Sequence, residues 1–286
     1  MEVHCFGNMR IFEVDPPIAL KPYIGKYFIY ENLDERMKCR FFRALPNGMV
    51  EMFFLFNGTN ILFLSNRRRE VFSSFVAGVF ELDHPMKIRV ESENDHFSGI
   101  GILFTYLGVN RILGMGLHEL TNQVLESSCF TPARQNDLHD ELEFGTDQRH
   151  RLRRLNDFFL GHLHNQQAPV QRVLFVLNRL VHMYGPLTVE RVAHEFNISY
   201  KSLYRMFVDE FGLTPKMYLK ILRFNHACWL LNKQPFVSWV DLVDRCGYYD
   251  QSHFIHEFKT IMKQSPRQYL KSSHGNFYLD RPYVFY

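Results

Sequence analysis

The stretch SWVDLVDRCGYYDQSHFIHEFK, residues 238–259, decides the fold of one half of this chain. Its first part predicts a short amphipathic helix capped by Ser238, because the acidic residue three positions later completes the capping-box spacing. Gly247 can end that helix at low steric cost, and Asp250 can accept bonds from the free amides that begin a second helix. Two short helices joined by a tight turn form a helix-turn-helix unit, whose second helix can enter a DNA major groove.

The second helix of this stretch has one apolar and one polar face. Ser252, His256 and Lys259 recur at i, i+4 and i+7, so they share the face that could meet a partner. Helix-turn-helix geometry also occurs in helical proteins that have no DNA role, so both interpretations stay open for this stretch alone. The residues predicted to face the core are Phe254, Phe258, Ile261 and Met262.

A second copy of this pattern lies upstream, in LTVERVAHEFNISYKSLYRMFVDEFGLTP, residues 187–215. Thr188 and Ser199 can cap its two helices. An offset of 51 residues places Phe207 on Phe258 and Arg205 on His256. Repetition of both helix faces at one offset indicates two copies of one structural unit that act as a pair.

The two copies differ at the end of the second helix. Gly212 of the first copy falls on Lys263 of the second, so the last helix is expected to lack a glycine stop. Between the copies, Thr214-Pro215 predicts the start of a helix that runs to about Asn232. Such a helix spans roughly 25 Å, which suits two recognition helices about 34 Å apart on one face of a duplex.

The charge balance is compatible with nucleic acid but does not demand it. The 286 residues carry a formal net charge of +3. Residues 185–273 hold twelve Lys or Arg against eight Asp or Glu, a net charge of +4, so the positive excess lies in the repeated part. That is the sign that phosphate neutralisation requires, although a solvated surface has the same sign.

The N-terminal part, from about residue 10 to 107, is predicted to be β structure. It contains short segments rich in β-branched and aromatic residues, two of them followed by the hairpin signals Asn47-Gly48 and Asn57-Gly58. VFSSFVAGVF, residues 71–80, is expected to be one such strand. The pattern favours an antiparallel barrel or sandwich. Its core is expected to be filled by aromatic side chains, including those of Phe41, Phe42, Phe53, Phe54 and Phe56.

Helical patterns replace the β pattern after Tyr106. Residues 107–128 predict one or two short helices, 132–150 a loop or exposed helix, and 151–163 and 166–184 one helix each. The last two helices either join two domains, form a dimer face or cap the β domain. A boundary near residues 165–170 divides the chain into a β-rich domain, 1–165, and a helical domain, 166–286.

Several kinds of site are not indicated. The five cysteines are odd in number and form no Cys-x-x-Cys, which argues against a disulfide framework or structural zinc and favours a reducing cytoplasm. His84, His96 and His118 show no close metal-ligand spacing. Asn66 to Arg69 is expected to be a solvated hairpin tip. Neither a signal peptide nor a membrane span is expected, and no cofactor or catalytic residue is predicted.

The repeated part resembles the DNA-binding domain of the AraC/XylS transcription regulators. The second unit carries that family's motifs as Cys246-Gly247-Tyr248, residues 250–254 (DQSHF), Phe258-Lys259 and residues 265–269 (SPRQY). The first unit matches at Ala193, Ser199, Leu203, Arg205, Phe207 and residues 212–215 (GLTP), followed by Arg223 and Ala227. Departures are Val243 for the usual alanine, His256 for a common arginine, and Lys263 for glycine.

The resemblance implies that two helices, about residues 199–211 and 250–262, read double-stranded DNA. Arginine and glutamine can make bidentate contacts to guanine and adenine, whereas Lys259 suits a phosphate. Histidine is mostly uncharged near neutral pH, so His256 implies a weaker second helix. The residues implied in DNA binding are Ser199, Tyr200, Lys201, Tyr204, Arg205, Asp250, Gln251, Ser252, His253, His256 and Lys259.

The N-terminal half is similar, more weakly, to the cupin-like sensor domain of some family members, through residues 44–48 (ALPNG) and 99–104 (GIGILF). The similarity implies binding of a small-molecule effector or homodimerisation. The expected fold is α+β: an antiparallel β barrel or sandwich with flanking helices, then an all-α domain of two helix-turn-helix units on a linker helix. The expected function is transcription regulation without enzymatic activity. The alternatives are a cupin-type metal enzyme or an alkyl-transfer repair protein fused to this domain, and an adaptor that contacts only proteins.

Overall fold

The structure is a computed structural model. It describes residues 2–6, 9–32, 39–44, 48–56, 59–63, 69–82, 86–91, 98–130, 135–145, 147–163, 176, 180, 187–234 and 237–271. Within those ranges an antiparallel β half precedes a helical half, as the sequence predicts.

The described strands of the β half form two antiparallel sheets. The larger sheet has the order β1-β2-β3-β10-β5-β8-β11, and the smaller has the order β4-β9-β6-β7. The strands are β1 Glu2–Phe6, β2 Met9–Val14, β3 Ile24–Asn32, β4 Cys39–Ala44, β5 Val50–Phe56, β6 Thr59–Phe63, β7 Arg69–Phe72, β8 Ser74–Ala77, β9 Met86–Glu91, β10 Ser98–Phe104 and β11 Val124–Glu126.

The core of the β half lies against β10, at the centre of the larger sheet. Ile100 pairs with Ile29 of β3 and with Phe54 of β5. Strands in this position are covered on both faces, which explains their apolar runs without strict alternation. The predicted aromatic filling holds for Phe54 and Phe56, which are buried, while Phe53 is half-buried and stacks on Phe75. The side chains of Phe41 and Phe42 lie outside the described set.

Neither Asn-Gly pair joins two strands of one ladder, and the hairpin interpretation is wrong for both. β4 and β6 belong to the smaller sheet, whereas β5 lies in the larger one. The physical reason is that a strand has only two edges, and β10 and β8 already occupy both edges of β5. Gly48 has the positive φ of 77° that such a chain reversal uses.

Residues 71–80 do not form one strand either. The chain breaks at Ser73, because β7 pairs with β6 in the smaller sheet while β8 pairs with β5 in the larger one. The Ser73 carbonyl accepts a hydrogen bond of 2.8 Å from Leu55 N. β1 and β11 were not predicted from sequence, since both are short and depend on pairing with neighbours. Asn66, Arg67 and Arg68 of the expected Asn66–Arg69 tip lie outside the described ranges, and Arg69 is part of β7.

The connecting region forms short helices, as the pattern after Tyr106 predicts, together with β11. α1, Tyr106–Gly108, continues into a π-helical turn, Val109–Leu113, and α2 spans Leu117–Leu120. α3, Gln135–Glu143, and α4, Gln148–Gly161, follow. α4 packs on the larger sheet, where Tyr27 Oη donates to Asn156 Oδ1 at 2.7 Å. The expected helix over 166–184 and the domain boundary lie largely outside the described residues.

The helical half consists, in its described part, of α5 Val189–Glu195, α6 Tyr200–Phe211, α7 Pro215–Lys233, α8 Trp239–Cys246, α9 Gln251–Met262 and α10 Pro266–Lys271. α5 and α6 form the first unit, α8 and α9 the second, and α7 is the linker helix. Among the described residues, no helix combines the length and apolarity that a bilayer crossing needs.

Candidate DNA-binding surface

The first unit is closed by local capping and a small apolar core. Thr188 Oγ1 accepts from Arg191 N at 3.1 Å, and Ser199 Oγ accepts from Ser202 N at 3.1 Å. These bonds satisfy amides that a helix start leaves free. The buried side chains between α5 and α6 include Val192, Leu203 and Phe207.

The second unit has the capping that its sequence predicts. Ser238 Oγ accepts from Asp241 N at 3.1 Å, and an Asp250 carboxylate oxygen accepts from His253 N at 2.7 Å. Gly247 ends α8 in the left-handed conformation, with φ 70°. The four side chains predicted to face inward from α9 are all buried: Phe254, Phe258, Ile261 and Met262.

The repeat is not uniform along its length. α6 and α9 match at an offset of 51, whereas α5 and α8, which begin at Val189 and Trp239, match at an offset of 50. The second unit therefore holds one extra residue in its turn, where two residues separate Gly247 from the cap Asp250 and only Ile198 separates Asn197 from the cap Ser199. The left-handed residue of the turn is Asn197 in the first unit and Gly247 in the second.

α9 ends with the same backbone geometry as α6, although glycine is missing. Lys263 adopts φ 57° and ψ 16°, close to the 65° and 7° of Gly212. The expectation that α9 lacks this stop holds for the residue type but not for the conformation. A Cβ on Gly212 would collide with Thr121 Oγ1 and lie 2.7 Å from His118 Cα. Lys263 is exposed, so its side chain has room.

The residues predicted to contact DNA lie at the start and along the exposed faces of α6 and α9. Tyr200 and Tyr204 are 55% and 42% exposed, and their spacing of four residues places them on one face of α6. Ser199 and Asp250 lie just before the helices, and their side-chain oxygens act as caps. The other exposed members of the predicted set are Lys201, Arg205, Gln251, Ser252, His253, His256 and Lys259.

Two aromatic residues refine the face of the second unit. His253 lies edge-on to the Tyr248 ring, with 5.5 Å between ring centroids, so part of its side chain packs within the unit. Tyr249, 91% exposed, directly precedes the cap of α9 and was not selected from the sequence. The sequence places Tyr249 directly before the predicted cap Asp250, and that position indicates a residue near the start of α9.

The linker helix α7 has the length and start that the sequence predicts. Thr214 Oγ1 accepts from Met217 N at 3.2 Å, and Pro215 occupies the first helical position. The 19 residues extend about 28 Å. α7 contacts helices of both units, so it joins the two exposed faces through one rigid element.

The first unit also docks on the β half. Tyr106 Oη donates a hydrogen bond to the Glu210 carboxylate, and its ring lies 5.2 Å from that of Phe211. Thr121 Oγ1 donates to the Phe211 carbonyl at 3.2 Å. Burial and the bond to Glu210 raise the pKa of Tyr106, so the phenol stays protonated and can donate. A cavity of about 10 Å³ beside these residues is no larger than one water molecule.

The described thiols of the helical half are poor nucleophiles. Cys228 and Cys246 are buried, and burial raises the pKa of both, that of Cys246 to about 12. A reactive thiol needs a lowered pKa and access to solvent. An alkyl-transfer role for either cysteine is therefore unsupported.

One cluster of potential metal ligands occurs among the described residues. Ligand atoms of His139, Asp140 and Glu143 lie within 4.8 Å of one another on α3. His139 Nε2 lies 3.0 Å from the Leu55 carbonyl, and Nδ1 lies 3.7 and 3.8 Å from the two carboxylates. This is also the geometry of an ordinary ion pair within a helix. The described part of the histidine set considered from sequence is His118, which is exposed and outside this cluster.

Comparison with known proteins finds one matching family model in each half. A helix-turn-helix domain model matches residues 192–272, the same segment that carries the two capped units and the motifs quoted above. The helical half is thus similar to the DNA-binding domain of AraC/XylS regulators. A model described as a domain of unknown function (DUF6597) matches residues 12–126, which contain most of the β half.

The similar curated proteins include a transcription activator. The HTH-type transcriptional activator RhaS of Escherichia coli (strain SE11) is 33% identical over 94 residues, 33% of this chain and 34% of RhaS. The chain thus spans about a third of the length of the curated relatives it matches.

Similar solved structures include one domain and one longer protein. The C-terminal domain of AraT, a response regulator from Geobacillus stearothermophilus, is 30% identical at a TM-score of 0.32, covering 35% of this chain and 84% of that one. Fatty-acid-bound ToxT from Vibrio cholerae is 11% identical at a TM-score of 0.47, covering 85% and 94%.

Proposed function

We propose that this chain is a sequence-specific, DNA-binding transcription regulator that places α6 and α9 in adjacent segments of the major groove. The observation that carries the proposal is the pair of capped units with exposed polar faces on a single rigid linker helix. The linker length of about 28 Å is of the order of one DNA turn, about 34 Å.

The two faces would contribute differently. From α6, Tyr200, Lys201, Tyr204 and Arg205 would reach base edges. From α9, the readers would be Gln251, Ser252, His253 and His256, with Lys259 on a phosphate and Ser199 and Asp250 setting the helix starts. α9 would be the weaker reader, because His256 stands where α6 has Arg205 and an imidazole lacks the forked donor pair with which a guanidinium binds guanine.

The β half would control this binding, through a small-molecule effector or through homodimerisation. The support is the direct contact of Tyr106 and Thr121 with the end of α6, which links the β half to the first reading helix. Light scattering coupled to size exclusion would measure the oligomeric state. Thermal-shift screening of metabolite pools would detect an effector.

We also propose that the chain is not an enzyme and acts in the cytoplasm, where regulators of this type meet DNA. The raised pKa of the buried thiols Cys228 and Cys246 supports the first statement against alkyl transfer.

The first test combines selection of bound sequences from random duplex DNA with fluorescence anisotropy at several salt concentrations. Affinity should fall steeply as salt rises, since phosphate contacts release counterions. Salt-insensitive binding, or none, would favour an adaptor that contacts only proteins.

Arg205→Ala should weaken binding to the selected site by about 1–3 kcal/mol and relax preference at one base position. The matched control is Arg153→Ala, which removes an exposed arginine of α4 on the β half. Anisotropy titrations against the selected site and single-base variants measure both effects. An unchanged base preference in Arg205→Ala would remove this residue from the reading set.

A further inference from the structure

A buried carboxylate connects the second unit to the linker helix. Glu257 of α9 is only 5% exposed. Nη2 of Arg223 lies 3.1 and 2.9 Å from its two oxygens, and Tyr248 Oη donates to one of them at 3.0 Å. The Arg223 guanidinium also lies over the Tyr248 ring, 4.4 Å from its centroid. The group therefore joins the linker helix, the turn and the second reading helix.

Two further side-chain nitrogens lie near this carboxylate at longer range. Lys220 Nζ lies 3.7 Å from Glu257, and His253 Nε2 lies 3.9 Å from it. Lys220 and Arg223 are one turn apart on α7, so they present a cationic edge to α9. Burying a charge is costly unless it is paired in a defined geometry. The arrangement of α9 on α7 is therefore constrained to positions that keep this carboxylate paired.

The remaining contacts of this interface are apolar and less directional. Phe224 of α7 packs on Phe258 of α9 with 5.7 Å between ring centroids. Apolar burial is non-directional, whereas a charge-assisted hydrogen bond is strict in distance and angle.

The first unit has no equivalent of this network. The offset of 51 places Met206 at the position of Glu257. The offset of 50 that holds through the turn places Ile198 at the position of Tyr248, since both amides bond back to the same carbonyl of the first helix, Ala193 and Val243. Met206 is half-buried against the apolar core. The first unit is instead anchored by its contacts with Tyr106 and Thr121 of the β half. The two reading helices are thus held by different contacts: α6 by the β half, and α9 by the linker helix.

We propose that Arg223, Glu257 and Tyr248 are positioning residues that set the orientation of α9 relative to α6, and so the half-site spacing that the protein accepts on DNA. The effect on half-site spacing rests on the proposed function. The narrow distribution of distances between α6 and α9 is expected whether or not the protein binds DNA.

The test compares the wild type with three variants. Glu257→Gln leaves the half-buried Arg223 cation without its counter-charge. Arg223→Met/Glu257→Leu removes both charges and keeps apolar volume, which usually preserves stability. Tyr248→Phe is the mild control, because it keeps the ring and removes one hydrogen bond. Thermal unfolding of each protein separates loss of fold from loss of position.

The first readout needs no DNA. Spin labels on Asp209→Cys and Thr260→Cys occupy equivalent exposed positions on α6 and α9, outside the predicted DNA set, with Cys5, Cys39 and Cys129 replaced by serine. Double electron–electron resonance should show one narrow distribution of distances between the two spin labels in the wild type. The double variant, at an unchanged melting temperature, should show a broadened or shifted distance. An unchanged distance would overturn the inference.

The second readout uses duplexes in which the two selected half-sites are separated by different numbers of base pairs. The wild type should favour one spacing over its neighbours by about tenfold, and the double variant should lose most of that preference. A uniform loss of affinity at every spacing would show a merely structural role and overturn the inference. If the wild type binds no DNA, the proposed function fails, and the spin-label distances still decide the positioning role.

Discussion

At the residue scale, Gly212 and Lys263 occupy the same place in the two units and face different neighbours. Both have left-handed backbones. Gly212 lies against His118 and Thr121 of the β half, where any side chain would collide. Lys263 is exposed, so the second unit meets only the conformational cost of a non-glycine residue in this region, about 1 kcal/mol.

Lys263→Gly should raise the free energy of unfolding by about 0.5–1 kcal/mol, because glycine adopts positive φ without a Cβ penalty, offset in part by the entropy of the unfolded chain. Urea denaturation followed by circular dichroism measures the change. Gly212→Ala is the contrasting variant and should lower the unfolding free energy by more than about 2 kcal/mol. A loss of stability in Lys263→Gly would show that the lysine side chain makes a stabilising contact.

His226, on the linker helix beside Trp229, predicts a pH dependence of stability. Burial, with the positive charge of Arg245, lowers its pKa from 6.5 in the folded state. The unfolded chain then binds the proton more readily, so this contribution to stability is complete above pH 6.5 and is lost as the pH falls below it. Urea denaturation between pH 7.5 and 5 should show the decline, and His226→Gln should flatten it. An equal slope in both proteins would refute this role for His226.

At the element scale, each helix of the two units begins at a side-chain cap that sequence alone identifies. Ser199, Ser238 and Asp250 were assigned as caps from spacing, and each accepts a bond from the amide three residues later. Capping is local, because donor and acceptor lie within one turn. This locality is why the boundaries of α6, α8 and α9 were predictable.

Ser238→Ala should lower the unfolding free energy by about 1 kcal/mol, since an orphan amide of α8 loses its acceptor. Chemical denaturation of the full chain measures the loss. Ser252→Ala is the matched control, because it removes an exposed serine hydroxyl from within α9 and should leave stability unchanged or slightly higher. Equal losses in the two variants would mean that the Ser238 cap contributes nothing specific.

At the scale of the whole molecule, the reading surface is divided between two supports. α6 is anchored to the β half through Tyr106 and Thr121, and α9 is held on the linker helix through Arg223 and Glu257. A change in the β half would therefore reach the first unit directly and the second only through α7.

The isolated 166–286 fragment should bind the selected DNA with the base preference of the full chain, because both units and the linker lie within it. Its melting temperature should be lower than that of the helical half in the intact protein, since Phe211 and Tyr218 lose their cover from Tyr106 and Gly48. Anisotropy and differential scanning calorimetry measure the two properties. If the fragment does not bind, the β half is required for DNA binding. Affinity measured on full-length Tyr106→Phe would then test whether the hydrogen bond from Tyr106 to Glu210 contributes to that requirement.

The sequence by itself determined the helical half: its caps, its two apolar stripes, its repeat and its linker. All of these depend on residues within a few turns of one another, where spacing translates directly into geometry. Which strands share a sheet depends on the tertiary structure, and neither Asn-Gly pair therefore forms the hairpin that its sequence indicates. Strand partners are chosen by which edges remain free, a property of the assembled sheet.

The same distinction applies to the candidate surface. The exposed face from Tyr200 to Lys259 could be predicted from periodicity. The burial of Glu257 beside Arg223, 34 residues away, and the contact of Gly212 with Thr121 could not. Both contacts join residues far apart in the chain, and the orientation of the two reading helices depends on them. Periodicity cannot reveal such contacts, because they form only when distant segments meet in the folded structure.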